Sequence, residues 1–244
     1  MNTFVVLCGG YGKRFQKVSK TLPKIIAEIS PGISMLDWLI EDYLPPDSSV
    51  ILATGHLHEK VSAYIKKKNY KNKLFLLKEK EKLGTGGALI NASRIVDEEE
   101  FIALNGDTIH SLSMDTFLIN SKLNNDVVIN VGCTEKNKND TGKILIDQNN
   151  YIKSFTEKEL PKEAITKNIN TVSSLGIYRC KTNFFKNLPI SVISLEEKLL
   201  PKLVEKKIVK ASIFKSDFQD FGTHERYNEL KEKVDEYLKN RKLI

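Results

Sequence analysis

Apolar residues along this chain follow two rhythms. Short unbroken runs, "TFVVLC" at 3–8, "SSVILATG" at 48–55, "KLFLLKE" at 73–79, "EFIALNGD" at 100–107 and "NDVVINVGC" at 125–133, have the length and composition of buried strands. Between them, "SMLDWLIEDYL" at 34–44, "HEKVSAYIKKK" at 58–68, "GTGGALINASRIV" at 84–96 and "SMDTFLINSKL" at 113–123 carry helical patterns. This alternation predicts an α/β fold, a mostly parallel sheet flanked by helices on both faces. The pattern then changes. In "TGKILIDQNNYIKSFTEK" at 141–158, apolar runs follow one another across turn residues Asp147 to Asn150, which predicts a smaller antiparallel β extension. Two helices are expected later, "SLEEKLLPKLVEKK" at 194–207 and "GTHERYNELKEKVDEYLKN" at 222–240, the second capped by Thr223. With no repeat or long linker, residues 1–244 read as a single domain, with 1–135 as its first half and 136–244, including the C-terminal helix, as its second.

Composition narrows the function classes. With 41% apolar and 28% charged residues the chain has a soluble globular make-up. Its formal charge of +7 comes from lysines interleaved with acids, as in "KEKEKLG" at 78–84, which read as solvated faces rather than a basic stripe. Aromatic platforms between the cations are missing, so nucleic acid is not an expected partner. A modest cationic excess suits polyanionic small substrates instead. The three cysteines, Cys8, Cys133 and Cys180, are too few and too dispersed for a disulfide framework or a zinc site and fit a reducing compartment. No stretch reaches transmembrane length, and "MNTFVVLC" lacks the cationic start and longer apolar core of an export signal. The expectation is a cytoplasmic protein with no membrane partner. His56 and His58, alternating in "TGHLHEK", lack the further ligands a metal site needs.

The candidate chemistry collects at strand ends. "GGYGKR", "LGTGG" and "NGD" fall at or beyond the carboxyl ends of predicted strands, where open α/β sheets bind ligands. In "CGGYGKRF" at 8–15, glycines let backbone N–H groups crowd an anion, and Lys13 and Arg14 add charge beside them. Phe15 stands where a dinucleotide fingerprint wants its last glycine, and the glycine spacing is too short for a P-loop. Lys24, after the rigid Pro23 in "TLPKIIAEI", is placed to act as a second cation.

Gly9-Gly10-Tyr11-Gly12-Lys13-Arg14, followed by Leu22-Pro23-Lys24, resembles the signature of the sugar-phosphate nucleotidyltransferases. The resemblance implies a Rossmann-like nucleotidyltransferase fold, with a nucleotide-binding first half and a sugar-phosphate-binding second half. It also implies transfer of a nucleoside monophosphate from a nucleoside triphosphate to a sugar 1-phosphate by in-line attack, releasing pyrophosphate. Under it, Leu7, Gly9, Gly10, Gly12, Lys13, Glu79, Gly84 and Thr85 contact the nucleotide, while Arg14, Lys24 and Lys158 are the catalytic cations. Asn105, Gly106, Glu157, Ser174 and Gly176 contact the sugar phosphate, and Asp107 and Asp220 hold Mg²⁺. Two positions depart from the family pattern. Ile25 replaces a proline, which is expected to loosen the turn at Lys24, and Ser174 replaces an asparagine, which leaves sugar selectivity open.

Base choice is argued from Glu79. A carboxylate only accepts hydrogen bonds, so it pairs with the N1–H and N2–H₂ of guanine, a double donor that uracil and thymine lack. Together with "LGTGGAL", this resembles the guanylyltransferases, especially those acting on D-glycero-D-manno-heptose 1-phosphate. GTP and a heptose or mannose 1-phosphate are the expected substrates. The same chemistry with CTP, UTP or dTTP, a non-catalytic binding subunit, and a homo-oligomer all stay open.

Overall fold

The computed structural model of the chain describes residues 2–12, 15, 21–136, 143–156 and 170–239. The first strand, β1 (Thr3–Leu7), leads into the glycine loop. A 3₁₀ turn, Lys24–Ile26, and the small ladder of β2 (Glu28–Ser30) and β3 (Ile33–Ser34) follow. The helix expected over 34–44 forms as α1 (Met35–Asp37) running into a π-helical turn, Trp38–Tyr43. Then come β4 (Ser49–Thr54), α2 (His58–Ile65), β5 (Lys73–Lys78), α3 (Gly84–Ser93), β6 (Glu100–Asn105), β7 (Thr108–His110), α4 (Met114–Asn120) and β8 (Ile129–Thr134). The later chain adds β9 (Lys143–Ile146), β10 (Ile152–Thr156), β11 (Asn170–Lys181) and α5 (Thr182–Lys186). A second π-helical turn, Leu195–Leu199, continues into α6 (Leu200–Glu205). The chain then forms β12 (Val209–Phe214), β13 (Phe218–Asp220) and α7 (His224–Lys239).

One sheet carries both halves of the sequence. Strands β5, β4, β1 and β6 are parallel neighbours in that order, as the strand–helix alternation predicts. Strand β11 then pairs antiparallel with β6, β8 and β9, and β10 extends the edge beyond β9. The β9–β10 hairpin closes at the predicted turn, where Asn150 N–H donates to Asp147 O at 2.9 Å. Mostly parallel strands with an antiparallel part, covered by helices, is therefore the architecture.

Strand alternation explains the two cores. Phe4 and Val6 enter one core with Trp38, Leu39, Phe117 and Leu230, while Val5 between them enters the other with Leu89, Phe185 and Leu200. A strand buried on both faces reads as a continuous apolar run because each face has its own helices to meet. Beneath α1, Asp37 is only 3% exposed. It accepts from Ser34 N–H at 2.9 Å, from Tyr64 and Tyr70 hydroxyls at 2.6 Å each, and from Lys68 Nζ at 2.8 Å. Burial alone raises a carboxyl pKa, but these donors outweigh it and hold Asp37 well below the usual range.

Strand β11 bends at Gly176, which has φ +69°. A Cβ there would stand 2.6 Å from Asn105 Nδ2, so the bend and the close packing on the end of β6 both require glycine. Beyond the bend the first half of β11 leaves β6 for β9. The C-terminal helix forms as expected, with Arg226 N–H donating to Thr223 Oγ1 at 3.3 Å.

Candidate active site

The parallel strands end together, and a cavity of about 610 Å³ opens beyond their carboxyl ends. Its wall includes Leu7, Gly9, Gly10 and Gly12 after β1, His56 after β4, Glu79 after β5, and Asn105, Gly106 and Asp107 after β6. Gly84 and Thr85, at the start of α3, also line it. All eight of those positions expected to contact nucleotide lie here except Lys13, which falls outside the described residues, as do Arg14, Glu157 and Lys158.

Lys24 heads the 3₁₀ turn, and its Nζ lies 3.0 Å from Asp107 Oδ2. The turn is closed by Ile26 N–H to Pro23 O at 3.1 Å and Ala27 N–H to Lys24 O at 2.9 Å. With Ile25 at its centre, the turn is thus closed by hydrogen bonds at both ends. The Ile25 side chain is 1% exposed and packs against Gly106, giving the Lys24–Asp107 pair an apolar floor.

Glu79 lies tight under the glycine loop. A Cβ on Gly9 would meet its Oε1 at 2.8 Å, so Gly9 is what lets the carboxylate come this close. Its Oε2 accepts from Leu83 N–H at 3.1 Å. Burial raises the Glu79 pKa, opposed by that N–H and by the charge of Lys82. Cys8, beside it, has its thiol pushed up to about 12 by burial and by the Glu79 charge, which makes it an unreactive wall residue.

The glycines of "LGTGG" serve a contact that the sequence did not signal. Segment 191–195 lies across the start of α3, so that Gly86 and Gly87 N–H both donate to Ile193 O, at 3.0 and 3.1 Å. A Cβ on Gly87 would come within 2.2 Å of Ser191 O. Those two N–H groups are thus taken, and they do not offer the anion site expected of a helix N-terminus. Thr85 is committed as well: its hydroxyl donates to Glu196 Oε2 at 2.7 Å and accepts from Leu195 N–H at 2.8 Å. The other Glu196 oxygen accepts from Tyr178 hydroxyl at 3.1 Å, and Ser174 in turn hydrogen-bonds Tyr178. Ser174 and Gly176 do not line the cavity. They stand behind it, at the far end of this hydrogen-bonded chain and under Asn105.

Asp220 is also set back. Strands β13 and β7 pair Asp220 with Thr108, and Phe221 N–H donates to Asp107 O at 3.2 Å, so the two aspartates occupy neighbouring positions on one ladder. Asp107 faces the cavity. Asp220 is instead gripped by Arg226 Nη1, at 2.9 and 2.7 Å, and by Gly222 N–H at 2.9 Å.

Among the wall residues that sequence reasoning missed are Tyr11, His56, Lys82, Glu196 and Glu197. Tyr11 and His56 rings lie 5.0 Å apart, and Lys82 Nζ lies 5.8 Å from the Tyr11 ring centroid. The strand-end rule that found Asp107 applies equally to His56, two residues past β4. Nothing local marks Glu196 or Glu197. His58 is an ordinary packing residue, its Nδ1 2.7 Å from Thr54 Oγ1. Among the described residues no group of three potential metal ligands gathers, and no helix is long and apolar enough to cross a membrane.

Comparison with known proteins gives the chain a family. The nucleotidyl transferase family model matches residues 3–236. A D-glycero-alpha-D-manno-heptose 1-phosphate guanylyltransferase of Campylobacter jejuni is 30% identical over 91% of this chain and 96% of its own. Its counterpart from Aneurinibacillus thermoaerophilus is 25% identical over 96% and 99%. Crystal structures of HddC from Yersinia pseudotuberculosis, one complexed with GMP-PN, superpose with a TM-score of 0.77 at 28% identity, covering 96% of this chain and 100% of that one. With the match running from β1 into α7, the chain belongs to the nucleotidyl transferase family.

Proposed function

We propose that this protein is an enzyme that transfers GMP from GTP to a sugar 1-phosphate, with a heptose 1-phosphate favoured over mannose 1-phosphate. One observation carries the reading. A single cavity gathers a glycine-rich loop for phosphates, a Lys24–Asp107 pair at 3.0 Å and a buried acceptor, Glu79, held for a base. The relatives named for heptose 1-phosphate guanylyl transfer support the choice of both substrates.

The reaction asks the protein for placement and charge rather than for a nucleophile of its own. A phosphate oxygen of the sugar 1-phosphate attacks the α-phosphorus in line, and pyrophosphate leaves. Gly10, with open space around its α-carbon, lets the phosphates approach the backbone closely. Lys24 neutralises charge as it builds on the transferring group. Lys13, Arg14 and Lys158 are assigned the same work, and Glu157 with Asn105 and Gly106 the sugar phosphate, the described part of that set being Asn105 and Gly106 at the end of β6.

Asp107 on the cavity wall is a donor that suits Mg²⁺, and Asp220 would have to leave Arg226 to join it. Asp107 and Asp220 are hard oxygen ligands on adjacent ladder positions, and each already holds a cationic side chain against it, Lys24 or Arg226. Two carboxylates without a larger protein cage match an ion that completes its shell with phosphate oxygens and water. Bound there, the ion would supply Lewis-acid polarisation and charge neutralisation at the phosphates. A cytoplasmic setting is supported by three free cysteines, two of them buried.

The deciding assay is Mg²⁺-dependent pyrophosphate release with GTP, CTP, UTP, dTTP and ATP, each paired with heptose, mannose and glucose 1-phosphates. Release with GTP and heptose 1-phosphate well above every other pair is the expected result. Preference for another nucleotide overturns the guanine assignment. Nucleotide binding without release in any pair overturns the enzyme.

A further inference from the structure

We propose that Lys82 is a specificity residue that reads the O6 atom of guanine, completing with Glu79 a two-residue reader of the base. The inference rests on the guanylyl-transfer reading above and deepens it.

Glu79 alone is an incomplete reader. A carboxylate accepts from guanine N1–H and N2–H₂, but it accepts equally well from the N6–H₂ of adenine. What separates the two purines is the order of groups along the edge. Guanine sets an acceptor, O6, beside the donor N1–H, whereas adenine sets a donor, N6–H₂, beside the acceptor N1. A donor beside the Glu79 acceptor matches the first order and opposes the second, which is discrimination by mismatch as well as by match.

Lys82 is the donor in the right place. It lines the same cavity as Glu79, three residues further along the same loop, and its charge acts on the Glu79 carboxyl. Its ammonium stands over the ring of Tyr11, which packs on His56, so an acceptor–donor pair lies beside a flat aromatic wall suited to a planar base. The division of labour among cations supports the same assignment. Lys24 is committed to Asp107 at the end of β6, while no ion pair among the described residues occupies Lys82. Lysine carries three donors and no acceptor, so it has nothing to offer the exocyclic amine of adenine.

The test is steady-state kcat/KM for GTP, ITP, 6-thio-GTP and ATP with the wild type, Lys82→Met and Lys82→Arg. ITP keeps O6 and N1–H, and 6-thio-GTP replaces O6 by a weak acceptor. Loss of one charge-assisted hydrogen bond predicts that Lys82→Met falls about tenfold with GTP and with ITP. It should fall little with 6-thio-GTP and should gain relative use of ATP, while Lys82→Arg, which keeps a donor, stays near wild type. An equal fall with every nucleotide would place Lys82 on the phosphates and overturn the inference, as would an unchanged rate with GTP. A wild type that ignores GTP but turns over another nucleotide instead overturns the guanylyl-transfer reading itself, so the two failures are distinct.

Discussion

Glu196 ties the start of α3 to β11, and its removal has a calculable cost. Its two oxygens accept from Thr85 at 2.7 Å and from Tyr178 at 3.1 Å, and Tyr178 is 1% exposed. Glu196→Ala removes both acceptors at once. Hydrogen bonds to a charged group contribute about 1.5–3 kcal/mol each, but Glu196 is partly solvated, so the lower end applies and the expected loss is about 3 kcal/mol. Part of it falls on the buried Tyr178 hydroxyl, which is left with Ser174 as its partner. Urea denaturation followed by circular dichroism reads this as a lower midpoint at unchanged slope. A second measurement isolates the cause. In a Tyr178→Phe background the Tyr178–Glu196 hydrogen bond is already gone, so Glu196→Ala should cost about 1 kcal/mol less than in the wild type. A loss below about 1 kcal/mol in the single variant, or strict additivity in the double, would refute the argument.

Three further outcomes are expected. Lys24→Ala and Asp107→Ala should each lose about a hundredfold or more in kcat while circular dichroism stays native, because both sit at the cavity surface and act on developing charge. Glu79→Gln should raise KM for GTP and yet stabilise the fold at neutral pH. Burial raises the Glu79 pKa above its unfolded value, so the ionised form costs stability as pH rises through the folded pKa. Thermal melts of wild type and variant should therefore diverge at neutral pH and converge in acid. Asp37 behaves in the opposite sense: its folded pKa is depressed, so its stabilisation is present above about 4 and is lost as pH falls through the folded value. Asp37→Asn should cost about 2–3 kcal/mol in urea melts at pH 7, with a gap that narrows below about pH 4.

Much of the site was legible because its residues sit at strand ends. An unbroken apolar run such as "TFVVLC", short and rich in β-branched residues, reads as a strand with both faces covered, and a polar residue that follows it falls at the carboxyl rim of the sheet. That rule reaches Gly9, Asn105 and Asp107 without any knowledge of which strands are neighbours. The family signature, being local, was equally readable. The β9–β10 turn and the Thr223 cap followed from short-range hydrogen bonding, which the chain specifies within a few residues.

Tertiary structure decided the rest, because the remaining contacts join residues far apart in the chain. No periodicity says that segment 191–195 will lie on the start of α3, yet that contact explains the glycines of "LGTGG", occupies the Thr85 hydroxyl and brings Glu196 to the cavity wall. Pairing of β13 with β7 set Asp220 beside Asp107, and α7 supplied the arginine that turns Asp220 away from the cavity. The bend of β11 at Gly176 moved Ser174 behind the wall rather than into it. Sequence by itself determined the elements, the rim on which chemistry could appear and the family. Only the packing of distant segments decided which side chains reach the cavity, since a hydrogen bond or a close backbone approach depends on distances in space that local propensity does not encode.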